Sequence, residues 1–142
     1  MLELAEVLLA EAVERGTVEL GRPADDERLR ATVDAIATDL TENGIVRRYR
    51  TDETDDGLSG KEGTFLICSF WLVSALAIIG ERQQARDLME RLLRIASPHG
   101  LYAEEFDAAT GHHLGNFPQA FSHLALIEAA ARIIVTERLE ER

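Results

Sequence analysis

Phe65-Leu-Ile-Cys-Ser-Phe-Trp-Leu-Val-Ser-Ala-Leu-Ala-Ile-Ile79 is the stretch on which the fold turns. Its only polar members are Ser69 and Ser74, with Thr64 before it as an N-cap and Gly80 after it as a stop, so it reads as one helix. A helix apolar on every side has to be buried on every side. It is shorter than the roughly 20 residues that a membrane span needs. Other helices of the protein must therefore cover it.

Its neighbours supply candidates. Upstream, Leu29, Val33, Ile36 and Leu40 recur at three- and four-residue steps after the acids Asp25 and Asp26, the pattern of an amphipathic helix whose first turn favours negative charge. Asn43-Gly44 ends that helix in this reading, and Ile45 to Tyr49 is a short extended piece. Met1 to Arg15 carries Leu4, Leu8, Leu9, Ala12 and Val13 on one stripe. Thr51 to Gly63 is acidic and glycine-containing, hence a surface loop. Downstream, Glu81 to Ala96 is amphipathic, with Ala85, Leu88, Met89, Leu92 and Ile95 on one face. After Pro118, Gln119 to about Val135 is again largely apolar. Wet and buried helices alternate, which describes two packed helical layers.

Composition agrees. The chain has 142 residues, enough for one domain or part of a larger one, with 46% hydrophobic and only 6% aromatic residues, a profile favouring helix over sheet. The net charge of −11 argues against a nucleic-acid or anionic-membrane surface, both of which need a basic footprint. The single cysteine, Cys68, excludes an internal disulfide and reads as a small buried hydrophobe. The N-terminus lacks the basic region and cleavage site of a signal peptide. A soluble, cytoplasmic protein is expected.

The chemistry-bearing segment is Gly100-Leu-Tyr-Ala-Glu-Glu-Phe-Asp107, a glycine-bounded loop with paired acids between aromatics. Such a loop on a helical scaffold suits a carboxylate that handles a proton. Its neighbours His112 and His113 lack zinc-like spacing, and adjacent histidines diverge in most backbones, so no metal and no cofactor is expected. His123 reads as a hydrogen-bonded inner histidine and Trp71 as core. The acid run Asp52 to Asp56 lacks EF-hand spacing.

Three segments in order, Glu62-Gly-Thr-Phe-Leu-Ile-Cys-Ser-Phe-Trp71, the acid loop, and Leu114-Gly-Asn-Phe-Pro-Gln-Ala-Phe-Ser-His123, resemble the C-terminal part of glycoside hydrolase family 15. That family holds the glucoamylases and some bacterial trehalases and glucodextranases. The resemblance covers Pro23 to Val135. It implies an all-α fold, part of an (α/α)6 barrel of inner and outer helices, of which about five are visible in two layers. Residues 1–22 depart from the family pattern, 23–136 form the catalytic-domain part, and 137–142 are a charged tail.

The resemblance further implies inverting hydrolysis of α-glucosidic bonds. The general base is the glutamate following the loop alanine, here Glu104, with Glu105 a neighbour rather than a partner. Without that motif Glu104 would read as a solvated loop acid. The substrate-binding arginine maps to Arg48 in Val46-Arg-Arg-Tyr49, and a sugar-contacting aromatic to Phe121. The family's general acid belongs to an upstream motif with no match here. The chain is therefore expected to be an incomplete, nearly inactive catalytic domain or a truncated remnant, completed by a second copy or by the missing barrel half. A helical interaction module is the alternative, suggested by the scaffold-like stretch Gly80 to Leu93. The absence of self-similarity at about 34 residues counts against a repeat array.

Overall fold

The computed structural model describes residues 27–42, 44–47 and 64–140. The expected helix over Met1 to Arg15, the loop Thr51 to Gly63 and Arg48 lie outside the described residues. Among those described there are four helices: α1 (Glu27–Asp39), α2 (Leu66–Ile78), α3 (Arg82–Arg94) and α4 (Ala120–Glu140). Short strands join them. β1 (Thr41–Glu42) and β2 (Ile45–Val46) form a hairpin, and β3 (Thr64–Phe65), β4 (Glu105–Asp107) and β5 (His112–Leu114) form an antiparallel sheet in the order β3-β4-β5. The architecture is thus mostly helical with a small sheet, not purely helical as expected.

The central helix is α2, as its sequence requires. Leu66, Phe70, Val73 and Ala75 are wholly buried, and Trp71 lies partly buried against the same core. It packs against α4 and α3 along its length and against α1 and β2 at its sides. Each large apolar side chain so buried contributes roughly 1.5–3 kcal/mol. Ser69 is tolerated inside because both its capacities are used: its hydroxyl donates to the Phe65 carbonyl at 3.0 Å and accepts the Val46 N–H at 2.9 Å. The helix ends at Gly80, whose φ of 85° allows Glu81 N–H to reach Leu76 O at 2.8 Å and Gly80 N–H to reach Ala77 O at 3.3 Å. This paired C-terminal closure satisfies carbonyls that the helix leaves open.

Two local expectations change. Thr64 is not the N-cap of α2. It lies in β3 and its hydroxyl donates to Phe106 O at 2.8 Å, while Phe65 takes the cap position without a side-chain bond. Gly44 does not close α1. It lies in the two-residue connection of the β1–β2 hairpin, with φ 80° and the register Thr41↔Val46, Glu42↔Ile45. Asn-Gly is the strongest short hairpin signal, and here it outweighs the helix-stop reading.

The flanking helices present one face each. Val33 and Ile36 of α1 are buried, as are Ala85, Met89 and Leu92 of α3. Arg30 joins α1 to the end of α2 through Glu81 at 3.1 Å and through the Ile79 carbonyl. Arg86 reaches Glu137 across α3 and α4 at 2.7 Å. Both pairs are solvent-accessible, a setting in which such bridges contribute about 0–1 kcal/mol. α4 differs from expectation. Its inner side, with Ser122, Ala125 and Ala129, is buried on α2, but Phe121, Leu124, Ile127 and Ile134 are 64%, 61%, 65% and 46% exposed. These four recur at three- and seven-residue steps and form one uncovered apolar face. No helix among the described residues is long and apolar enough to cross a membrane.

Candidate active site

The acid loop connects α3 to β4 and adopts no helix or strand from Leu101 to Ala103. A buried irregular segment must find partners for its own peptide groups. Here all of them are found. Leu101 N–H donates to Ser97 Oγ at 3.0 Å, Tyr102 N–H to His123 Nε2 at 3.3 Å, Ala103 N–H to His113 Nδ1 at 3.4 Å and Glu104 N–H to Asn116 O at 3.0 Å. The carbonyls are met in turn. Leu101 O accepts Ser97 N–H at 3.0 Å, Tyr102 O accepts Gln119 N–H at 2.9 Å, Ala103 O accepts the Ser122 hydroxyl at 2.8 Å, and Glu104 O accepts Leu66 N–H at 3.1 Å. The last bond also satisfies one of the N–H groups that the start of α2 leaves open.

The two histidines act as neutral rings. Since His123 Nε2 accepts the Tyr102 amide, its Nδ1, 2.7 Å from the Gln119 carbonyl, carries the proton. His113 uses the opposite tautomer, accepting at Nδ1 and donating from Nε2 to Ile95 O at 3.0 Å. Rings wedge both in place. His113 lies 5.5 Å from Phe106 and 5.7 Å from Phe117, and His123 lies 5.7 Å from Tyr102. Thus His123 is the hydrogen-bonded inner residue expected. His113, to which the sequence assigned no role, holds the loop while His112 stays exposed.

Glu104 ends the loop at a partly exposed position. Its Oε2 accepts Asn116 Nδ2 at 3.0 Å and, more weakly, the Asn116 N–H at 3.3 Å. Glu105 follows in β4, opposite Phe65 and Leu114. The Glu104 carboxylate is bonded to Asn116 and not to Glu105, so the two acids do not form a pair. Phe121 stands on the first turn of α4, beside Ser122 and His123, which bind the loop backbone. The structure therefore ties the Glu104 and Phe121 segments together. Arg48 falls outside the described residues.

Sequence reasoning missed the hairpin that presents Asn116. At the end of β4, Asp107 takes the Ala109 and Thr110 amides at 2.9 and 3.3 Å and the Thr110 hydroxyl at 2.6 Å. The Thr110 hydroxyl, then the Ala109 amide, hold the Asp107 carboxyl below its ordinary 3.8. This acid is a turn brace. The spacing Asp107-Ala-Ala-Thr-Gly111 was the available signal, since aspartate favours such turns.

A sequence profile of the Glycosyl hydrolases family 15 matches residues 6–131, and the chain belongs to that family. Among curated proteins, the trehalase of Mycolicibacterium smegmatis is 67% identical over 115 residues, covering 81% of this chain and 17% of that protein. The trehalase of Mycobacterium tuberculosis is 65% identical over the same extent. That of Thermoplasma acidophilum is 44% identical over 112 residues, 78% of this chain and 19% of that protein. The chain thus spans less than a fifth of the length of these relatives. No solved structure matches it.

Tyr102 links the loop to the core, its hydroxyl donating to Leu92 O at 3.0 Å with Phe70 edge-on at 5.3 Å. Burial pushes its phenol above the ordinary 10.0. A raised folded value means that the neutral phenol's contribution is complete below the unfolded value and is lost as pH rises through the folded one. The thermal midpoint is expected to fall as pH rises above about 10, with a shallower fall in Tyr102→Phe. Equal slopes in the two proteins would show that Tyr102 titrates as it does unfolded.

Proposed function

We propose that this chain is the general-base portion of a family 15 glycoside hydrolase that cleaves an α-glucosidic bond with inversion, and that the bond is that of trehalose. The observation that carries the reading is the placement of Glu104. It ends a loop whose backbone is bonded on both sides, with its carboxylate at a partly exposed position. The relatives named trehalases support the choice of substrate. In this mechanism Glu104 takes a proton from water, whose oxygen attacks the anomeric carbon from the face opposite the leaving group. The glycosidic oxygen leaves with a proton from a general acid about 6.5–9.5 Å from the base. Phe121 offers an exposed ring to the sugar, and Arg48 clamps its hydroxyls with a planar fork of donors.

The general acid comes from protein outside these residues, so this stretch by itself is close to inactive. The loss of leaving-group protonation alone costs a factor of about 10² to 10⁴. Its helices are part of an (α/α)6 barrel, and the uncovered face of α4 beyond Phe121, with Leu124, Ile127 and Ile134, is where the remaining helices of that barrel pack. The small share of its relatives that the chain spans favours this occupant over a second copy.

Two measurements check these statements. Together with protein supplying the rest of the domain, the chain should release glucose from trehalose, and Glu104→Gln should lower turnover by about 10²-fold or more; undiminished turnover in the variant removes Glu104 from the base role. Light scattering on the chain alone should give a monomer, and a stable dimer that Ile127→Glu dissociates would place a second copy on α4 instead.

A further inference from the structure

The carboxylate of Glu104 is held unevenly. Oε2 accepts both donors of one residue, the side-chain amide and the backbone N–H of Asn116 at 3.0 and 3.3 Å. The same residue accepts the Glu104 N–H at its carbonyl, at 3.0 Å. Glu104 and Asn116 therefore grip each other through backbone and side chain together. Oε1 makes no hydrogen bond among the described residues. The approach depends on Gly115, at φ 71°, where a Cβ would stand 2.9 Å from Oε2 and 3.0 Å from the Glu104 Cβ. A Cβ there would push the Glu104 carboxylate aside, and the positive φ is one that side chains rarely adopt, so the turn favours its glycine.

We infer that Asn116 is a positioning residue for the base: by occupying Oε2 it fixes the plane and direction of the carboxylate and leaves Oε1 as the oxygen that meets the water. The inference rests on the reading of Glu104 as general base. Its chemistry is simple. An amide N–H donates to a carboxylate without giving up its proton, so Oε2 is held while Oε1 keeps its lone pairs. The O–H bond of water breaks, its proton goes to Oε1, and the water oxygen forms the new bond to carbon as the glycosidic bond breaks. A carboxylate turning freely would present either oxygen in many directions, and misplacement of a reacting group by about 1 Å can cost about 10²-fold.

The geometric half is tested on the chain itself. Three-bond couplings to the Glu104 Cγ report the population of its χ1 rotamers. Wild type should show a single rotamer, Asn116→Ala an averaged one, and Asn116→Ser, which restores a donor, an intermediate value, with amide shifts of α2 unchanged in all three. A single rotamer that persists in Asn116→Ala overturns the proposal, as does averaging already present in wild type. The catalytic half is tested on trehalose with the rest of the domain supplied. Asn116→Ala should lower kcat roughly 10- to 100-fold with KM unchanged, and Asn116→Ser should recover part of it. If Glu104→Gln abolishes turnover while Asn116→Ala keeps full kcat, the positioning role alone fails. If Glu104→Gln stays active, the base reading fails, and the couplings still decide whether Asn116 orients the side chain.

Discussion

An irregular segment can be buried only if every peptide group it carries finds a partner, and the structure around residues 101–104 is organised by that demand. Each N–H and each C=O of those four residues is bonded, and the partners come from every direction. Ser97 lies behind the loop, Leu66 below it, His113 and Asn116 lie on and beyond β5, and Gln119, Ser122 and His123 lie at the start of α4. An unpaired buried peptide group costs about 1–3 kcal/mol. Any displacement of the loop that broke several of these bonds at once would therefore cost a substantial part of a domain's stability. Rigidity at Glu104 follows from this rather than from secondary structure.

The hydrophobic core supplies the fixed frame. α2 is buried almost all round, and its first amide is the one that meets the Glu104 carbonyl. The same helix carries Phe70, whose ring meets Tyr102 of the loop. Packing energy spent on α2 thus also places the loop, and the loop in turn closes the start of α2. Core and site share residues. That coupling explains why the segment Thr64 to Trp71 and the acid loop, distant in sequence, form parts of one arrangement.

Legibility in the sequence followed the range of the interaction. Helices α1, α2 and α3 could be read because apolar residues at three- and four-residue steps report burial directly. The strands could not. β3, β4 and β5 have two or three residues each, too few for a period of two to show. Thr64 and Gly44 were misread as helix caps because a local signal has two uses, and only the partner strand decides between them. The apolar content of α4 was evident, but composition does not say which side is covered. Glu104 was found through the resemblance to family 15 and not through its spacing. Asn116, His113 and Ser122 were invisible as its supports, since each acts across a gap that no periodicity marks. The family membership itself holds, while the roles of Arg48 and Phe121 rest on the resemblance.

The central claim is that side chains from β5 and α4 hold the loop still. Amide hydrogen exchange at Tyr102, Ala103 and Glu104 measures this most directly, because local opening limits exchange. The account predicts protection at these three amides approaching that of the buried α2 amides, although they belong to no helix and no strand. Exchange at the rate of an open surface loop would contradict it.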